Sequence, residues 1–394
     1  MLSYDEALST LLAAAKPVER SEMVPVHQAL GRVLAQAVVS PINVPPADNS
    51  AMDGYAVRVS DFNASDVCLP VGQRIPAGSV PVPLAAGSVA RIFTGAPIPT
   101  GADAVVMQEK VRVQAEGICL DTLPTLGENV RRAGEDIAQG AEVLPQGTRL
   151  GAAHMGLIAS VGIAKVKVYA RLRVAVFFTG DELLMPGEAL LPGTIYNSNR
   201  YVLHGLLGAL GCEITDLGIV PDNLEATRAA LRQAAANHDL VITCGGVSAG
   251  EEDHIKAALQ AEGALETWKI AIKPGKPFAF GRVAQTPFIG LPGNPVSSYA
   301  TFLMLARPYL KKCQGDQDCV PRAICMRADF NWPRAAIVRE FLRVRRNENG
   351  GLDLFPKQGS GVLSSCAWAD GLVDNPPEKP ICAGDLVRYI PLEA

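Results

Sequence analysis

Acidic and basic side chains that could handle an anion lie in loops of the second half of the chain. The densest group follows the short apolar segment 240–243, where a glycine-rich loop leads into Glu251, Glu252 and Asp253. Backbone N–H groups of such a loop, and of the helix predicted after it, can face a phosphate or another oxyanion. Carboxylates would repel that anion unless a hard cation such as Mg²⁺ lies between them. The residues indicate a metal-assisted oxyanion site, while an ordinary strand-to-helix turn with an acidic helix start fits them equally.

Three more loops of the second half follow apolar segments, at 179–183, 273–277 and 291–295. Because ligands of open α/β sheets bind at the carboxyl ends of the strands, we expect all four loops to meet at one rim. Lys273 and Lys276 would supply positive charge for an oxyanion, or would form a solvated hairpin turn. Asn294 and Pro295 begin a helix whose free N–H groups could face another anion, or they simply initiate that helix.

Three polar loops of the first half carry more functional groups than a turn needs. Residues 48–55 combine two acids with an amide and a hydroxyl, residues 93–109 begin with a Phe-Thr-Gly triplet, and residues 127–136 contain Arg131 and Arg132. The adjacent arginines suit an anion, but a charge cluster of this kind is also typical of a solvated surface. These loops on their own indicate no reaction.

The order of apolar segments predicts an α/β multidomain protein. Beyond residue 170, strands at 172–178, 213–220 and 240–243 alternate with helices, which predicts a central, doubly wound, mainly parallel sheet. Segments 268–272 and 288–290 are expected to add strands. We divide the chain into a mixed N-terminal α/β domain (1–44 plus 130–168), an inserted β-rich domain (45–129), an α/β domain (169–315) and a small C-terminal β domain (316–394).

Helix starts can be assigned from side chains that accept backbone N–H groups. Ser3 and Glu6 have the spacing of a capping box that opens a helix through residue 15. Asn199 is predicted to cap a helix with a leucine face, and Asp222, with Glu225 three residues further on, is predicted to cap the next helix. For Asp222 we prefer the capping role to a role in the site.

Composition excludes several classes of function. With 394 residues and a net charge of −4, the chain has no electrostatic footprint for nucleic acid. The longest uncharged run, 150–164, is shorter than the roughly 20 apolar residues of a membrane span, and the N-terminus lacks the basic region of a signal peptide. We therefore expect a cytoplasmic protein. Nine scattered cysteines without a C-x-x-C pair argue against a zinc site or a disulfide framework and for free thiols.

Established catalytic patterns are also missing. Ser248 has no evident His/Asp set, and Cys244 at a strand end is expected to be buried rather than reactive. The glycines of the loop do not make the G-x-G-x-x-G pattern of a dinucleotide site.

Taken together, eight motifs resemble the MoeA family of molybdopterin molybdenumtransferases, to which the E domain of gephyrin is related. They occur in family order, from about residue 50 to residue 300, at 48–56, 93–96, 127–132, 134–136, 179–183, 239–256, 273–277 and 291–297. Two positions depart from the pattern: Cys244 stands where Ser or Thr is expected, and Ala249 where Val is expected. Neither departure affects the charged residues.

The resemblance implies an elongated homodimer whose active cleft is built by the α/β domain with help from the partner subunit. It implies that molybdate is inserted into adenylylated molybdopterin with release of AMP, and that Mg²⁺ is the cation. Further partners implied are the molybdopterin adenylyltransferase and other proteins of cofactor biosynthesis; nucleic acid and membrane are not expected.

Matching motif positions carry the site residues over. The catalytic set implied is Asp53, Thr94, Asp136, Glu182 and Asp253, with Glu182 and Asp253 as metal ligands. The residues implied or inferred for substrate or oxyanion binding are Gly245, Gly246, Ser248, Lys269, Lys273, Lys276, Pro292, Asn294 and Pro295. Asp222, Ser364 and Ser365 are weaker transfers.

Two alternatives stay open. Adenylylation of molybdopterin is the preceding step, and the enzymes that perform it resemble residues 171–315 alone. A non-catalytic scaffold that binds a peptide, as the gephyrin E domain does, is the other. The long N-terminal half counts against the first, and the number of acids and lysines at the expected site counts against the second.

Overall fold

The computed structural model describes residues 1–62, 67–246, 254–333 and 336–392. The predicted capping box opens the first helix: the Ser3 hydroxyl accepts the Glu6 N–H at 3.2 Å, and the Glu6 carboxylate accepts the Ser3 N–H at 2.8 Å. In the described part of the chain no helix is both long and apolar enough to cross a membrane.

The elements of residues 1–169 alternate short strands with two helices. In chain order they are α1 (Tyr4–Ala14), β1 (Ser21–Pro25), β2 (Val38–Val39), β3 (Asn49–Ser50), β4 (Gly54–Val57), β5 (Cys68–Leu69), β6 (Val71–Ile75), β7 (Val89–Ile92), β8 (Ala104–Met107), β9 (Val111–Gln114), β10 (Gly117–Leu120), β11 (Val130–Arg131), β12 (Glu142–Leu144), α2 (Ala152–Ser160) and β13 (Lys165–Tyr169). Three 3-10 turns, Val26–Gln28, Val59–Asp61 and Gln108–Lys110, complete this half.

Segments on both sides of the inserted strands fold together. β1 pairs with β13 and β2 with β12, both antiparallel. Val24, Leu144, Ile158 and Val166 share one buried cluster with other residues of these elements. Between them, β6, β7, β4 and β8 form one sheet, β5, β10 and β9 a second, and β3 pairs with β11.

The expectation that all nine cysteines are free thiols is wrong for two cysteines of the inserted strands. Cys68 of β5 and Cys119 of β10 are direct cross-strand neighbours and form a disulfide. The two residues are 51 positions apart in the chain, so their spacing does not reveal the pairing that the sheet creates. The other seven cysteines are free thiols.

The second half begins with the α/β elements. In chain order they are β14 (Arg173–Thr179), β15 (Leu183–Leu184), β16 (Ile195–Tyr196), α3 (Ser198–Ala209), β17 (Glu213–Val220), α4 (Leu224–Asn237), β18 (Leu240–Cys244), α5 (His254–Glu262), β19 (Gly263–Lys269), β20 (Ile272–Lys273), β21 (Pro277–Val283), β22 (Thr286–Leu291), α6 (Pro295–Thr301), a buried π-helical turn (Phe302–Ala306) and α7 (Arg307–Cys313).

A six-stranded sheet in the order β17-β14-β18-β22-β21-β19 organises these elements. Successive residues of β14 point to opposite faces: Val174 and Val176 join the cluster that includes α3 and α7, whereas Ala175 and Phe177 join the cluster that includes α4 and α5. Helices therefore cover both faces, which is the reason for the nearly continuous apolar strands.

β21 (Pro277–Val283) of this sheet was not predicted from the sequence. β21 runs antiparallel to both β22 and β19, so the sheet is mixed, with β19 pointing in the same direction as the parallel strands. The strand expected at 268–272 is instead the end of β19 followed by the separate β20.

The C-terminal strands make a small closed sheet. Its elements are β23 (Ile324–Ala328), β24 (Arg339–Arg346), β25 (Gly351–Leu354), α8 (Ser364–Trp368), β26 (Gly371–Asn375) and β27 (Leu386–Pro391). The strand order is β20-β24-β25-β23-β27-β26, and β26 returns to pair with β24. β20 of the α/β segment is thus an edge strand of this second sheet.

Helix α1 packs on the α/β core. Tyr4, Ala7, Leu8 and Leu11 are buried in the cluster that contains the inner residues of β14 and of α7. The sequence-based division assigns α1 to the mixed N-terminal domain, but the helix packs on the α/β segment. The four-part division stays a proposal.

Replacing Leu11 with Ala should destabilise the protein by about 2–5 kcal/mol, because the fully buried side chain leaves a cavity between α1 and the α/β core. Urea unfolding measures the change. Ser9→Ala, on the exposed side of the same helix, is the matched control and should change the free energy of unfolding by less than about 0.5 kcal/mol. Equal stability of the two variants would contradict this packing.

Candidate functional site

A cleft of about 580 Å³ opens at the rim where β14, β17, β18 and β22 end. Thr179, Asp222, Gly245 and Pro292, each at or just beyond the end of one of these strands, all line it. Of the four loops predicted to converge on one rim, those at 179–183 and 291–295 and the described start of the glycine loop, 245–246, line the cleft, whereas the loop at 273–277 contributes only Pro277.

Glycines allow the loops to approach one another. Gly245 has φ +96°, its N–H donates to the Leu291 carbonyl at 3.1 Å, and a Cβ on it would lie 2.8 Å from the Thr179 carbonyl oxygen. A Cβ on Gly293 would lie 3.7 Å from the Gly245 Cα. A side chain at Gly245 would force apart the two strand ends that form the cleft wall.

Glu182 is held by its own turn. The Leu183 N–H donates to the Gly180 carbonyl at 3.1 Å, and the Ile195 N–H donates to the Glu182 carbonyl at 2.8 Å. The Glu182 carboxylate lies over Gly180, where a Cβ would meet its Oε2 at 2.6 Å. This places a carboxylate at the cleft, as expected.

Two predicted helix caps lie one or two residues away from their expected positions. Asn197 caps α3, its Oδ1 accepting the Arg200 N–H at 3.1 Å, whereas Asn199 donates from Nδ2 to the Gly293 carbonyl at 2.7 Å. Asn223 caps α4, and Asp222 lines the cleft. The preference for Asp222 as a cap is wrong because the adjacent Asn takes that role.

The cleft also contains buried amide atoms without a hydrogen-bond partner among the described residues. Asn197 is 2% exposed and leaves Nδ2 unpaired, while Asn199 leaves Oδ1 unpaired. Both residues line the cleft, and neither was assigned to the site from the sequence. Buried polar groups normally have hydrogen-bond partners, so these unpaired atoms indicate a place for a ligand. In the sequence, the polar Asn-Ser-Asn run at 197–199 before an apolar helix could have identified both residues.

The three lysines lie on the hairpin 269–277, beside the cleft. Lys269 is the cross-strand neighbour of Pro277, which lines the cleft, and Lys269, Lys273 and Lys276 are all exposed. The lysines themselves are absent from the cleft wall. Lys273 Nζ forms an ion pair with the Glu340 carboxylate at 3.2 Å.

Asn294 and Pro295 begin α6 as predicted, with Pro295 in the first turn. The Val296 N–H, in the first turn of α6, donates to the Ser360 carbonyl at 3.0 Å. The C-terminal unit therefore also reaches the cleft rim. Ser365 is fully buried, accepts from Arg343 Nε at 3.1 Å and donates to the Val362 carbonyl at 2.7 Å. Ser364 is exposed.

Cys244 is an unsuitable nucleophile. Its thiol is buried 3.1 Å from the Ser298 hydroxyl, and burial raises its pKa to about 12. Ser248 and Asp253, assigned to the site from the sequence, lie outside the described residues. Among the described residues, no group of three or more His, Cys, Asp or Glu side chains could hold a metal ion.

The polar loops of the first half come together on the inserted strands. Asp53 Oδ1 accepts both the N–H and the hydroxyl of Thr94 at 2.7 Å, and these two hydrogen bonds lower the pKa of Asp53. Asp48 Oδ2 pairs with Arg132 Nη1 at 2.6 Å, which joins the first loop to the third. Asp136 is exposed, and its N–H donates to the Val44 carbonyl at 3.1 Å. In this chain the described cleft wall contains no residue before Phe178, so these loops form a separate cluster.

The fold and the rim cleft define an α/β protein with a candidate ligand site at the carboxyl ends of neighbouring parallel strands. Three family models match the chain in order: the MoeA N-terminal region (domain I and II) at residues 2–162, a probable molybdopterin binding domain at 175–312, and the MoeA C-terminal region (domain IV) at 326–392.

Relatives match along the whole chain. The molybdopterin molybdenumtransferase of Haemophilus influenzae is 46% identical over 398 residues, covering 99% of this chain and 98% of that protein. Molybdopterin molybdenumtransferase 2 of Mycobacterium tuberculosis is 36% identical and covers 95% of each chain. A crystal structure of a molybdopterin biosynthesis MoeA protein from Pyrococcus horikoshii superposes with a TM-score of 0.87 at 30% identity, covering 99% of each chain. The chain belongs to the MoeA family, as its motifs indicate.

Thr94→Val should raise the pKa of Asp53 toward its ordinary value, because the carboxylate loses one of the two hydrogen bonds that favour its charged form. A carboxyl-carbon NMR titration measures this pKa. Thr100→Val, at an exposed position of the same loop, is the control and should leave the Asp53 titration unchanged. A Thr94→Val titration identical to that of the unmodified protein would contradict the assignment.

Proposed function

We propose that this chain inserts molybdate into adenylylated molybdopterin and releases AMP, and that it does so as a Mg²⁺-dependent cytoplasmic homodimer. In this reaction the bond between the adenylyl phosphorus and the bridging oxygen of the molybdopterin phosphate breaks. A water oxygen completes the AMP phosphate, and the bridging oxygen stays on the molybdopterin phosphate. One Mo–O bond of molybdate then breaks as molybdenum becomes bonded to the two dithiolene sulfurs, and the released oxygen leaves as water with the two thiol protons, so that no oxidation state changes.

The rim cleft is the observation that carries this proposal. It lies in the segment that matches a molybdopterin binding domain, has a volume of about 580 Å³, and is lined by polar side chains and glycine loops at strand ends. Its position is the one where doubly wound sheets bind nucleotide-like ligands. The full-length match to named molybdenumtransferases favours metal insertion over the adenylylation step alone.

The cleft residues suit a substrate with both polar edges and phosphates. Asn197 Nδ2 and Asn199 Oδ1 are a donor and an acceptor that lack protein partners in the described structure. The heteroaromatic edge of a pterin or purine offers the complementary groups. Hydrogen bonding by the bound ligand would remove the cost of these unpaired atoms.

Oxygen donors at the cleft fit Mg²⁺, which prefers one or two carboxylates together with substrate phosphates. Glu182 and Asp222 line the cleft, and Asp253 would join Glu182 as the second proposed ligand. When bound, Mg²⁺ would offset the charge that develops on the phosphate oxygens. Glu182 would be one of the carboxylates that hold the ion, while Gly245 and Gly246 would let the backbone approach the adenylyl phosphate.

The lysine hairpin suits molybdate. Lys269, Lys273 and Lys276 present exposed ammonium groups next to Pro277 at the cleft edge. Molybdate is a compact dianion that lysines and free backbone N–H groups can hold. Pro292, Asn294 and Pro295 also line the cleft, where the helical run from α6 to α7 begins.

A partner subunit would complete the site. Asp53, Thr94 and Asp136 belong to a separate cluster in this chain, so we propose that the cluster of one subunit faces the cleft of the other. Transfer of the adenylylated intermediate from a molybdopterin adenylyltransferase would then occur at the open side of the cleft.

Glu182→Gln should lower kcat for molybdate-dependent AMP release by about a hundredfold, because a neutral amide is a weaker ligand than a carboxylate for the Mg²⁺ that would offset the phosphate charge. Purified protein with adenylylated molybdopterin, molybdate and Mg²⁺ is assayed for AMP and for bound molybdenum.

Glu188→Gln is the matched control. Glu188 lies between β15 and β16, six residues after Glu182, is exposed, and accepts the Met185 N–H at 2.6 Å without lining the cleft. It should retain kcat within about twofold, as surface substitutions usually do. Unchanged turnover in Glu182→Gln, or pyrophosphate release from ATP and molybdopterin in place of AMP release, would reject the proposal.

A further inference from the structure

The lysine hairpin is held by the C-terminal sheet. β20 pairs in parallel with β24, so that Ile272 faces Arg339 and Lys273 faces Glu340. The Arg339 N–H donates to the Ala271 carbonyl at 3.1 Å. The strand that carries Lys273 therefore belongs to two units, the α/β segment by sequence and the C-terminal sheet by hydrogen bonding.

Two other parts of the chain fix the main chain of this hairpin. The Leu2 N–H donates to the Lys269 carbonyl at 3.0 Å, and the Leu2 carbonyl accepts the Ala271 N–H at 2.7 Å. Gly275 packs so closely on α6 that a Cβ would lie 2.2 Å from Thr301 Oγ1. With the backbone fixed in this way, the freedom that remains is that of the lysine side chains.

Glu340 restricts that freedom at one lysine. Glu340 is only 2% exposed, and both of its carboxylate oxygens accept hydrogen bonds. Oε1 accepts from Lys273 Nζ at 3.2 Å, and Oε2 accepts from Trp332 Nε1 at 2.8 Å. A buried carboxylate requires such partners. Because the ammonium has three N–H donors and the Lys273 side chain is 58% exposed, two donors stay available to a ligand.

We propose that Glu340 is a positioning residue that aims the Lys273 ammonium at the oxyanion during molybdenum insertion. This inference rests on the proposed function. Trp332 fixes the carboxylate, the carboxylate fixes the ammonium, and the C-terminal sheet thereby takes part in the reaction through the lysine hairpin. Glu340 itself does not touch the substrate.

The test begins with Glu340→Gln, which keeps the shape of the side chain and an acceptor for Trp332 but removes the charge that holds Lys273. Loss of orientation should lower kcat for AMP release by about tenfold. The KM for molybdate should change by less than about threefold, because the lysine charge is retained and a competing carboxylate is removed. Asp370→Asn is the control: Asp370 pairs with Arg346 at 2.9 Å elsewhere in the C-terminal sheet, and kcat should be retained.

A double-mutant cycle separates positioning from general support of the fold. In a Lys273→Ala background, Glu340→Gln should have no further effect on kcat, since the residue through which it acts is gone. Equal fold-losses in both backgrounds, or an unchanged kcat in Glu340→Gln, would overturn the inference. If Glu340→Gln does not fold, Trp332→Phe takes its place in the same cycle, with the same criterion.

A measurement without substrate distinguishes this inference from the proposed function. Reductive methylation followed by mass spectrometry should show that Lys273 reacts severalfold faster in Glu340→Gln than in the unmodified protein, and at the unmodified rate in Asp370→Asn. Absence of AMP release by the unmodified protein would remove the proposed function, and with it the positioning role of Glu340 in that reaction. An unchanged methylation rate of Lys273 would overturn the ion pair itself.

Discussion

The packing of neighbouring strand ends against one another is the constraint on which the site depends. β14, β18 and β22 run in the same direction in adjacent positions, so their loops must turn within a few ångströms of each other. The hydrogen bond from Gly245 to the Leu291 carbonyl and the closeness of Gly245 to Thr179 leave no room for a side chain. The cleft exists because the loops leave the sheet on either side of this contact, which places Glu182 and Asp222 on its wall.

Distant segments meet around the same rim. Leu2, the hairpin 269–277 and β24 are joined by backbone hydrogen bonds, and Ser360 accepts an amide from the start of α6. The N-terminal helix and the C-terminal sheet therefore act as supports for loops that belong to the α/β segment. The cleft is lined by residues between 178 and 297, and the segments on either side of that range match the family as well. Their support of the rim loops gives these flanking segments a structural role in the site. Geometry at the lysines depends on contacts made far away in sequence.

Strongly apolar strands and motif-bearing loops could be predicted from the sequence, whereas pairings between distant segments could not. β14 and β18 were predicted because buried parallel strands are nearly continuous in apolar residues, whereas the predicted edge strand β17 is less buried and carries Glu213 and Asp216. β21 was missed because Pro277 and the lysines around it are typical of a turn. Asn197 and Asn199 are both reasonable caps, and only tertiary contacts decide between them. The Cys68–Cys119 bond and the Glu340–Lys273 ion pair arise from sheet pairing across 51 and 67 positions.

The central claim is that the rim cleft and the lysine hairpin form one site for molybdate and its pterin partner. Crystals soaked with molybdate and examined by anomalous scattering at the molybdenum absorption edge test it most directly. The account predicts an anomalous peak within contact distance of Lys273 or Lys276, at the edge of the cleft that Pro277 lines. Molybdate bound only at other surfaces, with no peak beside the hairpin or the cleft, would contradict it.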